Sequence, residues 1–148
     1  MITASRPTPR THRLPNLGTM CNNPLNIRHS ARNRWKGLHP TTPQVAGFCR
    51  FTAKVYGYRA ALLLLRRYIT HYGLRTPRQM LSRWAPPEEN DTEIYIACIC
   101  GRIGMSPDHV VSLDGSDLAR LVASMARQET GAEVNEAQIQ EIREMFKV

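Results

Sequence analysis

The sequence predicts a mainly α-helical protein with a small extended element near its N-terminal end. From Thr52 onward, apolar residues recur with the period of a helix in one stretch after another. Capping residues, prolines and glycines bound these stretches in the way that helix ends require. Before Thr52 the chain is rich in Pro, Asn and Thr and shows little helical periodicity. The length of 148 residues suits one domain with a modest core.

The longest periodic stretch runs from Thr52 to Gly73, and Gly73 is a suitable helix stop. Its helically spaced apolar residues are Val55, Tyr58, Leu62, Leu65 and Ile69. A second helix is predicted to start at Thr76, a good N-cap that is followed by a proline at the first helical position. It must end before the Ala-Pro-Pro sequence of residues 85–87.

Four more helices are predicted in the second half of the chain. One begins after a cap at Asp91 or Thr92, and a short one begins at the Ser-Pro pair of residues 106–107. The next is capped by Ser116 and stopped by Gly131. The last helix follows residue 135 and places Ile139, Ile142 and Phe146 on one side.

The N-terminal part divides into an arm and an extended element. Residues 1–19 are rich in Pro, Thr and Arg, which predicts a disordered basic arm in front of a domain at residues 20–148. Residues 22–28, Asn-Asn-Pro-Leu-Asn-Ile-Arg, predict a compact turn and strand. Residues 34–51 predict two short strands separated by an exposed Pro/Thr loop at 39–44.

The charges divide the chain sharply. Residues 1–87 contain 15 Lys and Arg and no Asp or Glu, whereas residues 88–148 contain 5 Lys and Arg and all 12 acids. The two parts therefore carry +15 and −7, and the total is +8. Such a field favours a polyanionic partner, namely nucleic acid, anionic lipid or the anionic cell wall. Any catalytic carboxylate of this sequence must lie after residue 87.

Several classes of protein and site receive no support. No apolar run approaches the length of a membrane span, and the first residues lack the hydrophobic core of a secretory signal. The four cysteines do not form a zinc pattern and are expected to be small buried hydrophobes, so no metal site is expected. Phosphate-loop, dinucleotide, zinc-protease and serine-hydrolase motifs are missing, and no cofactor is expected.

Glu129 is the candidate acid. It continues an apolar helical stripe of Leu118, Leu121, Val122 and Met125 and falls in the last turn before Gly131. Burial and the negative end of the helix dipole both raise the pKa of a carboxyl group. A carboxyl group that keeps its proton near neutral pH is what glycoside cleavage requires of a general acid. The structural alternative is a glutamate that turns to solvent or pairs with an arginine.

Two further groups of residues are weaker candidates. Glu88 and Glu89 lie near the start of a predicted helix, where a carboxylate is stabilised in its charged form. Glu89 is therefore the alternative acid rather than the first choice. Trp84 and Tyr95 could stack on sugar rings, although aromatic residues at helical spacing more often belong to a core.

Nucleic-acid binding is the alternative from a different class. The first half is rich in arginine, and the two helices of residues 53–84 could form a helix-turn-helix. The arginines are spread along the segment, however, and the second helix carries few side chains suited to base edges. Nucleic acid is therefore not the expected partner.

Several short motifs together resemble a known family of enzymes. Residues 126–135, with Glu129-Thr130-Gly131, resemble the catalytic-helix signature of lysozyme-like lytic transglycosylases, in which an Ala/Arg-rich helix ends in Glu-Ser-Gly. Residues 90–99 resemble a second helix of that superfamily. Four segments between residues 23 and 68 resemble glucosaminidase-type murein hydrolases. The whole of residues 20–135 is similar to phage-encoded murein hydrolases such as the lytic enzyme of enveloped double-stranded RNA phages.

The order of the motifs is reversed relative to that family. The glutamate helix usually comes first, but here it follows the Asn, Trp and Phe segments. The resemblance therefore implies a circularly permuted lysozyme-like domain with its catalytic helix near the C-terminus. Permutation is tolerated when the termini of a domain lie close together at its surface.

The resemblance implies a peptidoglycan-cleaving activity with Glu129 as general acid and then base. A lytic transglycosylase closes a 1,6-anhydro ring with the sugar's own hydroxyl group and needs no second carboxylate. Asn26 and Tyr95 would position the sugar, and weaker candidates for substrate binding are Arg28, Trp35 and Thr92. A catalytically inactive wall-binding or structural protein of the same fold remains an alternative.

The resemblance also implies where the protein works. Peptidoglycan would be its partner, together with other virion proteins. The protein would reside in the virion or the host cytoplasm and act in the periplasm.

Overall fold

The computed structural model describes residues 17–148, which form six helices and one β-hairpin. The elements are α1 (Leu17–Met20), β1 (Gln44–Val45), β2 (Phe48–Cys49), α2 (Lys54–Tyr72), α3 (Pro77–Trp84), α4 (Thr92–Ile103), α5 (Asp117–Thr130) and α6 (Glu136–Phe146). This confirms the predicted mainly α-helical fold. None of the helices within the described residues combines the length and apolarity that a bilayer span requires.

Helix α2 lies along the core and is buried along most of its length. Its buried residues are Gly57, Tyr58, Ala60, Ala61, Leu62, Leu64, Leu65, Tyr68 and Ile69. The helix ends where predicted, because Gly73 adopts a left-handed conformation with φ 65°. The N–H of Gly73 donates to the carbonyl of Ile69, and the N–H of Leu74 donates to that of Tyr68. Both α5 and α6 pack against α2.

The predicted start signals of α3 and α4 are confirmed. Thr76 and Gln79 form a reciprocal capping box at α3, and Pro77 occupies the first helical turn. The side chain of Asp91 caps α4 by accepting from the N–H of Ile94 at 3.4 Å. Thr92 is buried and donates its hydroxyl proton to the carbonyl of Ala85 at 2.6 Å. The start of α4 is thereby fixed to the end of α3.

Helix α5 is the hub of the second half of the fold. It contacts α4, α6, α2 and α1, and its core-facing stripe is fully buried at Leu118, Leu121, Val122 and Met125. The helix stops at Gly131, which has φ 73°, as predicted. The side chain of Ser116 stands at the N-cap position but makes no capping hydrogen bond. Helix α6 begins with a capping box formed by Asn135 and Gln138.

The short helix predicted from Ser106 is wrong. Ser106 and Pro107 form only a turn, and the following residues run in an extended course beside the start of α3. The N–H of Val111 donates to the carbonyl of Arg75 at 2.8 Å, and the carbonyl of Pro107 accepts from the N–H of Arg78 at 2.9 Å. These long-range bonds satisfy the backbone without a helix, and Val111 is buried.

The extended element differs in detail from the prediction. The hairpin turn lies at Ala46 and Gly47, which both have positive φ as a type I′ turn requires, and not at the loop of residues 39–44. That loop is mostly exposed and precedes β1. Single antiparallel bridges join Arg28 to Phe48 and Leu38 to Phe51. The first of these bridges attaches the Asn-rich segment of residues 22–28 to β2.

The predictions for the N-terminal arm and for the cysteines differ in part from the structure. Residues 1–16 of the predicted basic arm lie outside the described residues, and the structure places Leu17–Thr19 in α1. Cys21, Cys49 and Cys100 are buried, and burial raises the pKa of the Cys49 thiol to about 12. Cys98 is exposed, because it lies on the outer face of α4, so the prediction of four buried cysteines is wrong for this residue.

Acid should weaken the fold through Asp117. Partial burial raises the pKa of the Asp117 carboxyl group. This effect is outweighed by the N–H of Ser112, the ring of His109 and the charge of Arg120, so the pKa of Asp117 lies below its usual 3.8. A carboxyl group with a depressed folded-state pKa stabilises the fold above its unfolded-state pKa and loses this contribution as the pH falls through its folded-state pKa. We expect the free energy of unfolding to fall below pH 3.8 and Asp117→Asn to flatten this fall.

Urea denaturation between pH 2 and pH 7 measures this effect. The matched control is Asp114→Asn, in the exposed turn before α5, and its pH dependence should equal that of the wild type. Equal acid slopes for the wild type and Asp117→Asn would contradict the prediction.

Candidate functional site

Glu129 lies in the last turn of α5, and its carboxylate is held from two sides. Its side chain is half-buried. Asn26 donates from Nδ2 to Oε1 at 3.1 Å, and the hydroxyl of Tyr95 donates to Oε2 at 2.6 Å. Asn26 precedes Glu129 by 103 residues and Tyr95 precedes it by 34. The fold therefore brings together three residues that the sequence analysis selected for one site.

The Asn-rich segment is built to hold Asn26 in place. Asn23 is fully buried, and its amide group donates to the carbonyls of Ile27 and Cys49, both at 3.0 Å. Its Oδ1 accepts from the N–H of Ile27 at 2.9 Å. Asn22 donates to the carbonyl of Phe51 at 3.0 Å. These bonds satisfy a loop that would otherwise bury unpaired backbone groups. Asn26 itself is left-handed with φ 52°, a conformation that asparagine tolerates.

A second set of contacts fastens this segment to the end of α5. The hydroxyl of Thr130 lies 2.9 Å from the carbonyl of Pro24 and 3.2 Å from that of Ala126. Nδ2 of Asn26 also approaches the main-chain carbonyl of Glu129 at 3.3 Å. A Cβ atom on Gly18 of α1 would overlap Asn26 Oδ1 and the methyl group of Thr130, so only glycine permits this close approach.

Tyr95 reaches Glu129 from α4, one turn after the buried start of that helix. Thr92 does not point to the carboxylate but fixes the helix to Ala85. Its contribution to the site is therefore the position of Tyr95, and the expected direct contact with substrate has no support in this arrangement.

The hydrogen bonds to the Glu129 carboxylate affect its protonation in a way that the sequence does not reveal. Partial burial and the helix C-terminus favour the neutral carboxyl group, whereas donors such as Asn26 and Tyr95 favour the ionised carboxylate. The amide nitrogen of Asn26 can only donate, but the hydroxyl of Tyr95 can donate to a carboxylate or accept from a carboxylic acid. The arrangement therefore accommodates both protonation states of Glu129.

An ion pair between Arg28 and Glu89 joins the segment that contains Asn26 to the loop that precedes α4. Nη2 of Arg28 lies 3.0 Å from Oε1 of Glu89, and their side chains are 43% and 50% exposed. Arg28 also lies over the ring of Phe48. Glu89, the alternative acid, is thus an exposed carboxylate paired with a guanidinium. Glu129 is half-buried and accepts hydrogen bonds from Asn26 and Tyr95.

The tryptophans belong to the core and not to an exposed sugar platform. Trp35 is 8% exposed, and Arg67 lies over its ring at 5.6 Å. Trp84 is fully buried and packs edge-on against Tyr68. Stacking of Trp84 on a sugar ring therefore loses its basis, because a fully buried ring has no accessible face. The prediction that Trp35 binds substrate is likewise not supported by its buried position.

The site is also shaped by three residues that were not predicted from the sequence, namely Asn23, Thr130 and Gly18. Asn23 could have been found as one of three asparagines in a segment of seven residues, since such clusters stabilise loops by side-chain hydrogen bonds. Nothing in the sequence marks Gly18. Within residues 17–148, no cluster of three His, Cys, Asp or Glu side chains could hold a metal ion.

Comparison with known proteins gives one relevant similarity. The chain is 33% identical over 117 residues to Protein P5 of Pseudoalteromonas phage PM2, a match that covers 78% of this chain and 71% of the phage protein. No family model matches the sequence.

The Thr130 hydroxyl should stabilise the junction between the Asn-rich segment and α5. Thr130→Val keeps the shape of the side chain but removes the bond to the Pro24 carbonyl, which should lower the free energy of unfolding by about 1–2 kcal/mol. Thr130→Ser keeps the hydroxyl and should lose less. Urea denaturation of the three proteins measures the difference, and equal losses for valine and serine would contradict the role of the hydroxyl.

Proposed function

The chain belongs to the family of Protein P5 from Pseudoalteromonas phage PM2, and from the geometry around Glu129 we propose that it cleaves the glycan strands of peptidoglycan. The observation that carries this proposal is the Glu129 carboxylate, half-buried at the end of α5 and held by Asn26 and Tyr95. A partly desolvated carboxyl group with fixed orientation has the features of a general acid.

The reaction follows the lytic transglycosylase pattern that the sequence motifs resemble. Glu129 gives its proton to the glycosidic oxygen as the bond from that oxygen to C1 of the N-acetylmuramic acid residue breaks. The 6-hydroxyl of the same sugar then bonds to C1, and its proton returns to Glu129. The product is a 1,6-anhydro sugar, and neither a second carboxylate nor an external water molecule takes part.

The supporting residues have separate tasks in this mechanism. Tyr95 and Asn26 hold the carboxyl group, and Tyr95 can exchange donor for acceptor as the proton leaves and returns. The Asn-rich segment and Thr130 maintain the distance between Asn26 and α5. The basic first half of the chain attracts the anionic wall. The substrate is host peptidoglycan, which the protein reaches either from the virion or from the host cytoplasm.

One specific observation favours a second candidate, a structural or wall-binding protein without catalysis. Both carboxylate oxygens of Glu129 already accept hydrogen bonds from within the chain. In that case Glu129 serves only to tie α4 and the Asn-rich segment to α5. The two candidates predict different results for Glu129→Gln. A catalytic role predicts loss of activity, because glutamine cannot transfer a proton, whereas a structural role predicts no such loss, because glutamine keeps a hydrogen-bond acceptor.

The test is the release of soluble fragments from dye-labelled peptidoglycan sacculi. Glu129→Gln should lower the rate by at least about 100-fold while the protein remains folded. The matched control is Glu133→Gln. Glu133 lies four residues after Glu129, its side chain is 85% exposed, and the variant should keep wild-type activity. A folded Glu129→Gln variant with wild-type activity would exclude Glu129 as the acid.

Glu89→Gln completes the series, because Glu89 is the alternative acid. It removes an exposed ion pair with Arg28 and should change the rate by less than about fivefold. Loss of activity in Glu89→Gln, with activity retained in Glu129→Gln, would transfer the role of acid to Glu89 and overturn the assignment.

A further inference from the structure

A concave site lies on the side of α5 away from Glu129. It is a cavity of about 590 Å³ between the end of α4, α5 and the loop that leads into α6. Arg120, Ser124 and Arg127 line it from one face of α5. Since each helical residue turns the chain by about 100°, Glu129 points to the opposite face from Arg127.

Three arginines converge on this cavity, namely Arg102, Arg120 and Arg127. Arg102 donates to the carbonyl and hydroxyl oxygens of Ser124 at 2.9 and 2.8 Å. Arg120 donates to the carbonyl of Ile103 at the end of α4. Backbone and hydroxyl oxygens orient these two guanidinium groups without neutralising their charge, and each guanidinium carries five N–H donors.

The ion pairs that Arg120 and Arg127 form with neighbouring carboxylates are long. Arg127 and Glu133 are 3.8 Å apart, and their side chains are 53% and 85% exposed. Arg120 stands 4.0 Å from both Asp117 and Glu136. Long ion pairs between exposed side chains contribute little to stability, so an incoming anion can replace Glu133 at Arg127 at small cost.

One part of the cavity wall is apolar and is formed by Ile103, Ala123, Ala132 and Val134. Polar residues at the start of α6 complete the lining, namely Glu133, Asn135 and Glu136. The volume falls within the range of small-molecule sites, which combine apolar walls with a few convergent polar groups. We propose that this cavity binds a small anionic molecule, a phosphate monoester or a carboxylate, whose apolar part lies against these walls.

NMR titration of the full chain with butyl phosphate and with inorganic phosphate, at constant ionic strength, tests this proposal. Both ligands should shift the amide signals of residues 132–137 and of the end of α4, and butyl phosphate should bind several-fold more tightly because of its apolar chain. Shifts confined to α2, which carries Lys54, Arg59, Arg66 and Arg67, would overturn the proposal. Equal affinity for the two ligands would overturn the role of the apolar walls.

Arg127→Gln should weaken the binding of butyl phosphate about tenfold, because Arg127 is the guanidinium held least by the protein itself. Arg66→Gln, at an exposed position of α2, removes the same charge elsewhere and should leave the affinity unchanged. Equal weakening in both variants would show that the ligand responds only to net charge and would overturn the site. Both side chains are exposed, and circular dichroism verifies that each variant is folded.

Discussion

The junction between the Asn-rich segment of residues 22–28 and the last turn of α5 is the constraint on which the candidate site depends. It joins parts of the chain more than 100 residues apart through Asn26 to Glu129 and Thr130 to Pro24. It forms only because Asn23 satisfies the buried backbone of the segment and Gly18 leaves room for it. A carboxylate at this helix end is therefore fixed by tertiary structure, which the isolated helix could not supply.

The uneven distribution of charge acquires a structural meaning from these contacts. The first half of the chain contains no acid, so every carboxylate that faces it comes from the second half. Arg28 forms an ion pair with Glu89 in this way, and Arg78 forms ion pairs with both Glu93 and Asp108. These pairs are exposed and contribute little to stability. The proposed general acid, Glu129, accepts hydrogen bonds from the amide group of Asn26 and the hydroxyl group of Tyr95, which orient its carboxyl group.

The sequence predicted the helices well, because periodicity and capping are local properties. Gly73 and Gly131 end their helices as expected, and Thr76 starts α3. The prediction of a helix from Ser106 was wrong, because the backbone there forms hydrogen bonds with the start of α3 instead of bonds within a helix. Selection of Glu129, Asn26 and Tyr95 came from spacing and from resemblance to a family. The roles of Thr92 and Trp35 could not be predicted, because burial and hydrogen-bond partners are decided by distant parts of the chain.

The most direct test of the account is the chemical identity of the products that the wild-type protein releases from purified sacculi. Mass spectrometry separates 1,6-anhydro-muropeptides from products with a reducing end, since hydrolysis adds one water molecule. The account predicts anhydro products, because Glu129 acts with the sugar's own hydroxyl group. Reducing-end products would mean that water is the nucleophile. Intact sacculi after prolonged digestion would contradict the proposed activity and leave Glu129 as a structural tie between α4, α5 and the Asn-rich segment.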